Sequence, residues 1–188
     1  MLWYQGRPRN AGNKAARERI GLLNKTPLPA VEEERVEGTS EICTKRVKTE
    51  ALRREADSAG IAQMCPKWVF EGYEADYPWM IVLAVGMDYK KIHTAPSDDS
   101  STEVMEQSER GIRAARSLAA WIRDQGYDAF PHCEPSAGPV LLIPAAIEAG
   151  LGELGKHGSM IHRDFGASFR LADRYAVDAG RARSVRGR

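Results

Sequence analysis

The chain of 188 residues is 43% apolar and carries 27 basic and 26 acidic side chains, which gives a formal net charge of +1. A chain of this length can bury one substantial hydrophobic core, so we expect one main domain. A nearly neutral balance gives no overall field that would attract nucleic acid or an acidic membrane surface, and no nucleic-acid partner is predicted.

The cysteines and the longest apolar run exclude two further classes. Cys43, Cys65 and Cys133 lie far apart, with no CxxC pair. This spacing argues against a disulfide framework and against a zinc or iron–sulfur site with cysteine ligands from this chain alone. The run from Met80 to Met87 is far shorter than the roughly 20 residues that cross a bilayer. We therefore predict a cytoplasmic protein with no transmembrane segment.

The first half of the chain changes character at about position 45. Residues 1–44 mix Gly, Pro, Asn, Glu and Arg with few large apolar side chains, which predicts an extended or poorly ordered segment. Helix formers between Thr44 and Ala59, followed by Gly60 as a stop, predict a helix. The run MIVLAV at 80–85 is too continuously apolar for a half-exposed strand and predicts a strand covered on both faces.

The second half alternates between helices and strands. A Ser/Thr followed by Glu103 predicts a helix N-terminus, and apolar residues at three- and four-residue spacing extend that helix to near Gly126. Further predictions are a strand at 127–132, a helix at 139–149, and strands at 159–162 and 168–172. Alternation of this kind favours an α/β or α+β layered fold over a helix bundle or a β-sandwich.

A glycine-rich segment within 132–172 concentrates the residues that can carry chemistry. Gly150, Gly152 and Gly155 satisfy GxGxxG, but a dinucleotide site needs a strand before this motif and a helix after it, whereas a helix precedes it here. The same letters also fall short of a phosphate-binding loop, because His157 occupies the hydroxyl position. A nucleotide-binding enzyme that uses the loop at 150–158 is kept as an alternative.

The physical properties of this loop fit two interpretations. Its four glycines let the backbone approach a bound group closely, and Lys156, His157 and Ser159 supply hydrogen-bond donors. Glycine after a helix is also the commonest C-terminal cap. The pattern is therefore typical of a ligand-cradling loop or of a tight structural turn.

The segment resembles the reductive dehalogenases and the epoxyqueuosine reductases. These families share a helix that runs into AGLG, a loop with the pattern [WE]xGK/R-polar-G, and a strand with an [F/Y]G element. In this sequence the three parts are residues 149–152, 153–158 and 165–166. The upstream segments AGIAQMCPKWVFEG and PWMIVLAVGMDY look like early strands of the family, so the resemblance covers about 45–172.

The resemblance implies a nitroreductase-like α/β (α+β) domain at 45–172 that binds cobalamin and is incomplete at its C-terminus. Lys156 is the favoured donor, since a cation suits the phosphate or amide groups of a corrinoid tail. The implied cofactor-binding residues are Ser136, Ala137, Gly138, Gly152, Gly155, Lys156, His157, Gly158 and Ser159.

A catalytic residue is not identified. The epoxyqueuosine reductases have a carboxylate just before the helix that enters AGLG, and Ser136 occupies that position here. Ser136 and Glu134, two residues away, are the catalytic candidates, although a serine is a poor acid at neutral pH. The dehalogenase-type proton donor is a tyrosine, and candidates by residue type alone are Tyr73, Tyr77 and Tyr89.

Members of the family continue into a ferredoxin-like domain that binds two 4Fe-4S clusters, and this chain has no ligands for them. Residues 173–188, with five arginines, are interpreted as a basic, disordered tail that results from truncation or a frameshift. We predict the cobalamin-binding part of a reductive dehalogenase-like oxidoreductase, inactive alone, whose intact relative removes halogen from a small organic substrate. Its electron donor is unknown. A non-catalytic corrinoid-binding module is the alternative.

Overall fold

The computed structural model describes residues 10–74, 77–132 and 139–176, with only the backbone described at position 132 and at 173–176. Five helices and six strands are present in these ranges, together with a short 3-10 turn at Pro66–Trp68. In chain order they are α1 (Ala11–Lys25), α2 (Ser40–Arg53), β1 (Ser58–Gln63), β2 (Trp79–Gly86), α3 (Tyr89–Ile92), α4 (Asp98–Asp124), β3 (Ala129–His132), α5 (Leu142–Glu148), β4 (Gly152–Leu154), β5 (Met160–His162) and β6 (Phe169–Ala176).

Four strands form the central sheet in the order β1-β2-β6-β3, and each neighbouring pair is antiparallel. The strands β4 and β5 form a separate antiparallel hairpin. Helices cover the sheet, so the predicted mixed α/β layered architecture is confirmed, and its ladders are antiparallel throughout the described strands.

Strand β2 separates two hydrophobic clusters. Its residues from Met80 to Val85 are at most 2% exposed, which confirms the prediction of a strand covered on both faces. Because side chains alternate across a strand, Ile81 and Leu83 pack with α2 and α4, whereas Met80 and Val82 pack with α5 and the β4–β5 hairpin. We call these the α4 face and the hairpin face.

Helix α4 is the longest element, and it starts earlier than predicted. Ser97 caps it and forms a reciprocal capping box with Ser100. Glu103, which the sequence placed in that role, is 1% exposed and instead binds the Asp88 N–H at 2.8 Å and the Lys91 ammonium at 3.0 Å. The carboxylate therefore anchors α3 on α4. Gly126 ends the helix region with a φ of 81°, as expected for a C-terminal stop.

The prediction of an extended segment over residues 1–44 is wrong where α1 and the start of α2 lie. Helix α1 packs on α4 through a narrow stripe in which small and polar side chains alternate with few large apolar ones, so its hydropathy signal is weak. Ala16 and Ile20 are at most 5% exposed, and the buried Asn13 amide donates to the Ser101 hydroxyl at 2.5 Å. Arg19 pairs with the buried Glu109 at 2.8 Å.

Two other boundaries also differ from the sequence predictions. Helix α2 ends at Arg53 rather than Ala59, because Glu55 turns the chain with a φ of 68° and residues from Ser58 enter β1. Gly60 is therefore not a helix stop: it lies in β1, where an added Cβ would be 2.7 Å from the Ala149 carbonyl oxygen. Strand β6 continues to Ala176, so the predicted disordered tail is wrong for 173–176, while 177–188 lie outside the described residues.

Candidate functional site

The glycine-rich segment starts with a complete helix cap. Gly150 has a φ of 78°, and its N–H donates to the Ile147 carbonyl at 2.9 Å, while the Leu151 N–H donates to the Ala146 carbonyl at 3.0 Å. This pair of bonds is a Schellman motif, which satisfies the last carbonyls of α5. The predicted helix end just before Gly150 is confirmed, and the fold explains why a glycine follows it.

Gly152 is also required by packing. It begins β4 opposite His162, and an added Cβ would collide with the carbonyl oxygen of Ile161 and lie 3.1 Å from the His162 Cα. The missing side chain lets the two hairpin strands approach each other. Gly152 therefore faces a protein backbone and does not offer open space to a ligand.

The hairpin loop at 155–159 is a tight turn closed by its own hydrogen bonds. The Gly155 N–H donates to the Ser159 carbonyl at 2.7 Å, and the Gly158 N–H donates to the Gly155 carbonyl at 3.0 Å. The Ser159 N–H donates to Nδ1 of His157 at 3.1 Å. The His157 ring lies over Gly155, where an added Cβ would be 2.6 Å from it.

The outer side of this turn is open. Gly158 has a φ of 78° and no atom within 4 Å of an added Cβ. Lys156, His157 and Ser159 are exposed, and within the described chain the Lys156 ammonium has no acidic partner. The turn therefore presents a cation, an imidazole and a hydroxyl in one short segment.

Two exposed apolar side chains stand beside these polar groups. Leu154 is 64% exposed and Ile161 is 46% exposed, on neighbouring strands of the hairpin. The buried Met160 and Leu151 hold the same hairpin against the sheet. The hairpin thus combines hydrogen-bond donors with apolar surface, a combination that suits an amphipathic ligand.

A buried histidine at the base of the hairpin was not identified as a site residue from the sequence. His162 is 3% exposed, and its ring stacks on Phe165 at 4.5 Å and lies 5.5 Å from Phe169. Nδ1 accepts the Asp164 N–H at 3.1 Å, and Nε2 is buried without a hydrogen-bond partner in the described chain. Burial lowers the pKa of His162, and the Asp164 carboxylate opposes that change. Burial therefore favours the neutral form of the His162 imidazole.

Arg170 is a second polar residue with an unpartnered buried atom. It lies on β6 opposite Val85, and its Nε has no hydrogen-bond partner among the described residues. Burial lowers the pKa of its guanidinium. The sequence contains a signal for this residue, because Arg170 interrupts the apolar, strand-like run FRLA. An arginine is seldom buried without a partner.

The structure separates the three tyrosine candidates. Tyr77 packs against the cluster on the hairpin face, which also contains Leu151. Tyr73 and Tyr89 are 61% and 65% exposed, and Tyr89 belongs to α3, where it stacks on His93 at 5.4 Å. Only Tyr77 thus shares a hydrophobic cluster with the hairpin.

Four of the candidate site residues and one cysteine lie outside the described residues: Glu134, Ser136, Ala137, Gly138 and Cys133.

The arrangement around the glycines does not match a dinucleotide site. Helix α5 precedes Gly150, and a β-hairpin follows it, whereas a dinucleotide fingerprint has a strand first and a helix second. Within the described ranges, no three His, Cys, Asp or Glu side chains come together as a metal site. No helix in the same ranges has the length and apolarity to cross a membrane.

Comparison with known proteins gives matches over part of their length. No protein-family model matches the chain. Over 117 residues it is 37% identical to the tetrachloroethene reductive dehalogenase of Dehalobacter restrictus and 36% identical to that of Desulfitobacterium hafniense. Each alignment includes 62% of this chain and 20% of the relative, so the chain spans about a fifth of those proteins. It is also 27% identical over 135 residues to the epoxyqueuosine reductase of Synechocystis, with 60% of this chain and 47% of that protein covered.

Solved structures of reductive dehalogenases share the fold. One, described as suggesting a mechanism for B12-dependent dehalogenation, matches with a TM-score of 0.68 and 17% identity, over 95% of this chain and 26% of that protein. The dehalogenase NpRdhA in complex with 3-bromo-4-hydroxybenzoic acid matches with a TM-score of 0.68 and 18% identity over the same shares. The chain is therefore related to the reductive dehalogenases and the epoxyqueuosine reductases, and it corresponds to part of their length.

Proposed function

We propose that this chain is the cobalamin-binding part of a reductive dehalogenase-like oxidoreductase. The observation that carries the proposal is the 37% identity to a tetrachloroethene reductive dehalogenase over 117 residues. The fold likeness to a dehalogenase described as B12-dependent supports it. Because the chain spans about a fifth of its dehalogenase relatives, the proposal assigns cofactor binding to this chain and leaves the electron donor open.

The β4–β5 hairpin fits the chemistry of a corrinoid. A corrin is a broad ring with amide side chains and a tail phosphate, so it needs apolar contact together with hydrogen-bond donors. Leu154 and Ile161 offer the apolar contact, and the open side of Gly158 lets a bulky group approach the backbone. Bound cobalamin would supply low-valent cobalt chemistry toward a carbon–halogen bond.

Each residue of the loop has a separate part in this proposal. Lys156 is the cation for the phosphate or amide groups of the tail. His157 accepts the Ser159 N–H at Nδ1, which leaves Nε2 as the ring nitrogen that can donate to a ligand. The Ser159 hydroxyl is a further donor. Gly152 and Gly155 act through the protein, by allowing the strands and the His157 ring to pack.

The other predicted cofactor residues remain part of the proposal through the resemblance alone. Ser136, Ala137 and Gly138 would approach the corrin from the segment before α5, and Glu134 and Ser136 are the candidates near the reacting centre. A small halogenated organic molecule is the proposed substrate class of the whole protein. NpRdhA binds 3-bromo-4-hydroxybenzoic acid, a halogenated compound of this size.

The test is retention of cobalamin by the purified chain. Hydroxocobalamin is added in excess, unbound cofactor is removed by gel filtration, and the visible spectrum of the monodisperse protein peak is recorded. We expect close to one corrin per chain. Lys156→Ala should raise the dissociation constant at least about tenfold, since a hydrogen bond to a charged group contributes about 1.5–3 kcal/mol.

Lys90→Ala is the matched control, because Lys90 is an exposed lysine on α3, outside the hairpin, and this variant should bind cobalamin like the wild type. A colourless, monodisperse wild-type peak would contradict the proposal. Equal losses in the two lysine variants would contradict the assignment of Lys156.

A further inference from the structure

A cavity of about 440 Å³ lies on the α4 face of the sheet, on the side opposite the hairpin. Its volume is within the range of about 300–1,000 Å³ that is typical of small-molecule sites. Ile81, which lines it, points to the α4 face, whereas its neighbours Met80 and Val82 belong to the cluster on the hairpin face. The cavity is therefore separate from the proposed corrin site.

The floor and walls of the cavity are mostly apolar and aromatic. Strands β1 and β2 contribute the floor, and the C-terminal end of α4 contributes one wall. The large apolar and aromatic side chains are Ile61, Trp79, Ile81, Trp121, Ile122 and Tyr127. These surfaces suit a ring or a branched hydrocarbon chain.

The charged groups of the lining are of one sign. Arg46 and Lys48 line the cavity, and no carboxylate from the described residues does so. Arg46 donates to the Gln125 side-chain oxygen at 2.5 Å and lies over the Trp121 ring at 5.7 Å, so it is held in place without an acidic partner. Most other arginines of α2 and α4, such as Arg53 with Glu50, form ion pairs with carboxylates.

The N-terminus of α2 adds to this positive potential. Gly38, Ser40 and Cys43 line the cavity, so the first turn of a 14-residue helix borders it. The N-terminal end of a helix carries a partial positive charge. The nearby acidic residues, Glu37 and Glu41, are exposed and do not belong to the lining.

From the apolar floor and the unpaired positive lining, we propose that this cavity binds a small organic monoanion, an aromatic or branched carboxylate. Its hydrocarbon part packs on the floor, and its carboxylate lies between Arg46, Lys48 and the start of α2. The chain segment after β6 is a poor occupant, because residues 177–188 carry four arginines and one aspartate and would be repelled by the same cations.

The probe for this proposal is 1-naphthoate, with 1-naphthalenemethanol as a neutral compound of the same ring and similar size. Isothermal titration of each into the full chain compares their affinities. We expect naphthoate to bind at least tenfold more tightly. Lys48→Gln should remove most of that preference, and Lys48→Gln combined with Arg46→Gln should abolish it. Lys45→Gln, an exposed lysine on α2 outside the lining, should retain it.

The Arg46 substitution also removes a contact with the Trp121 ring, so a second readout is used that does not depend on the charge variants. In a Cys65→Ser, Cys133→Ser chain, Cys43 is the remaining thiol, and it lines the cavity. Naphthoate should slow its reaction with a disulfide reagent at least fivefold. Equal affinities for the acid and the alcohol, no binding of either, or an unprotected Cys43 at saturating naphthoate would overturn the proposal.

Discussion

Two glycines of the β4–β5 hairpin are expected to respond differently to the same substitution, Gly→Ala. At Gly158, the added methyl group enters open space, and the cost is that of an L-residue at a φ of 78°. That conformation costs roughly 1–2 kcal/mol, so Gly158→Ala should lower the free energy of unfolding by about 1 kcal/mol. The hairpin itself should stay closed.

At Gly152, the added methyl group meets backbone rather than space. It would collide with the Ile161 carbonyl oxygen and lie 2.9 Å from the Ile161 carbonyl carbon, and a backbone group on a paired strand cannot rotate away. Overpacking typically costs about 1–3 kcal/mol, and a rigid neighbour places this case near 3 kcal/mol. The strands are expected to separate, since the hairpin is held mainly by the buried Met160 and Leu151.

Urea denaturation followed by circular dichroism measures the two losses of stability, and hydrogen exchange at the Gly155 amide reports on the hairpin. This amide donates to the Ser159 carbonyl at 2.7 Å in the closed turn. Gly152→Ala should expose it to exchange, and Gly158→Ala should leave it protected. Equal stability losses, or a protected Gly155 amide in the Gly152 variant, would refute the assignment of Gly152 to backbone packing.

Three further predictions concern the core and the caps. Leu118→Ala should lower the free energy of unfolding by about 3–5 kcal/mol in urea denaturation, because Leu118 is 0% exposed between α4 and the sheet; a loss below about 1.5 kcal/mol would contradict this packing. Ser97→Ala should lower the free energy of unfolding by about 1 kcal/mol in the same assay, because the cap of α4 is lost. The control is Ser117→Ala, at an exposed position inside the same helix, which should cost nothing because alanine is the better helix former. The pKa of His162 is lower in the folded chain than in the unfolded chain, so as the pH falls the unfolded chain takes up the proton first. The free energy of unfolding should therefore fall as the pH drops below about 6.5. His162→Phe keeps an aromatic ring against Phe165 and should make that fall shallower; an unchanged pH profile would show that His162 is not its source.

The elements that could be predicted from the sequence are those whose cause is local. Strand β2 has a continuous apolar run because both of its faces are covered, and α4 has a long amphipathic pattern that ends near Gly126. Helix α1 was missed because Asn13 and Ala16 make up much of its buried stripe, and Ile20 alone gives only a weak apolar signal. The early end of α2 depends on Glu55 at a positive φ, a conformation that is uncommon for glutamate.

The sheet order was beyond local reasoning because its pairs are distant in sequence. Strand β6 inserts between β2 and β3, and Val85 pairs with Arg170, a residue 85 positions later. The surroundings of His162 were missed for a different reason. Phe165 and Phe169 are near it in sequence, but their contacts with the ring depend on the local turn in which His162 and Gly166 exchange backbone hydrogen bonds. Residue type and spacing indicated the glycine-rich loop at 150–158 as a candidate site, but they could not distinguish the residues that pack within the protein from the exposed hydrogen-bond donors.

That distinction changes what the glycine motif is evidence for. Gly150 completes a helix cap and Gly152 lets two strands meet, so any chain that joins α5 to this hairpin needs both, whether or not it binds a ligand. Their match to the family pattern therefore supports the fold. Lys156 and Gly158 are different, because the fold uses neither the ammonium nor the space outside the turn. A variant that loses cobalamin through Lys156 while keeping its stability would locate the function in this half of the motif, and a variant at Gly152 could not.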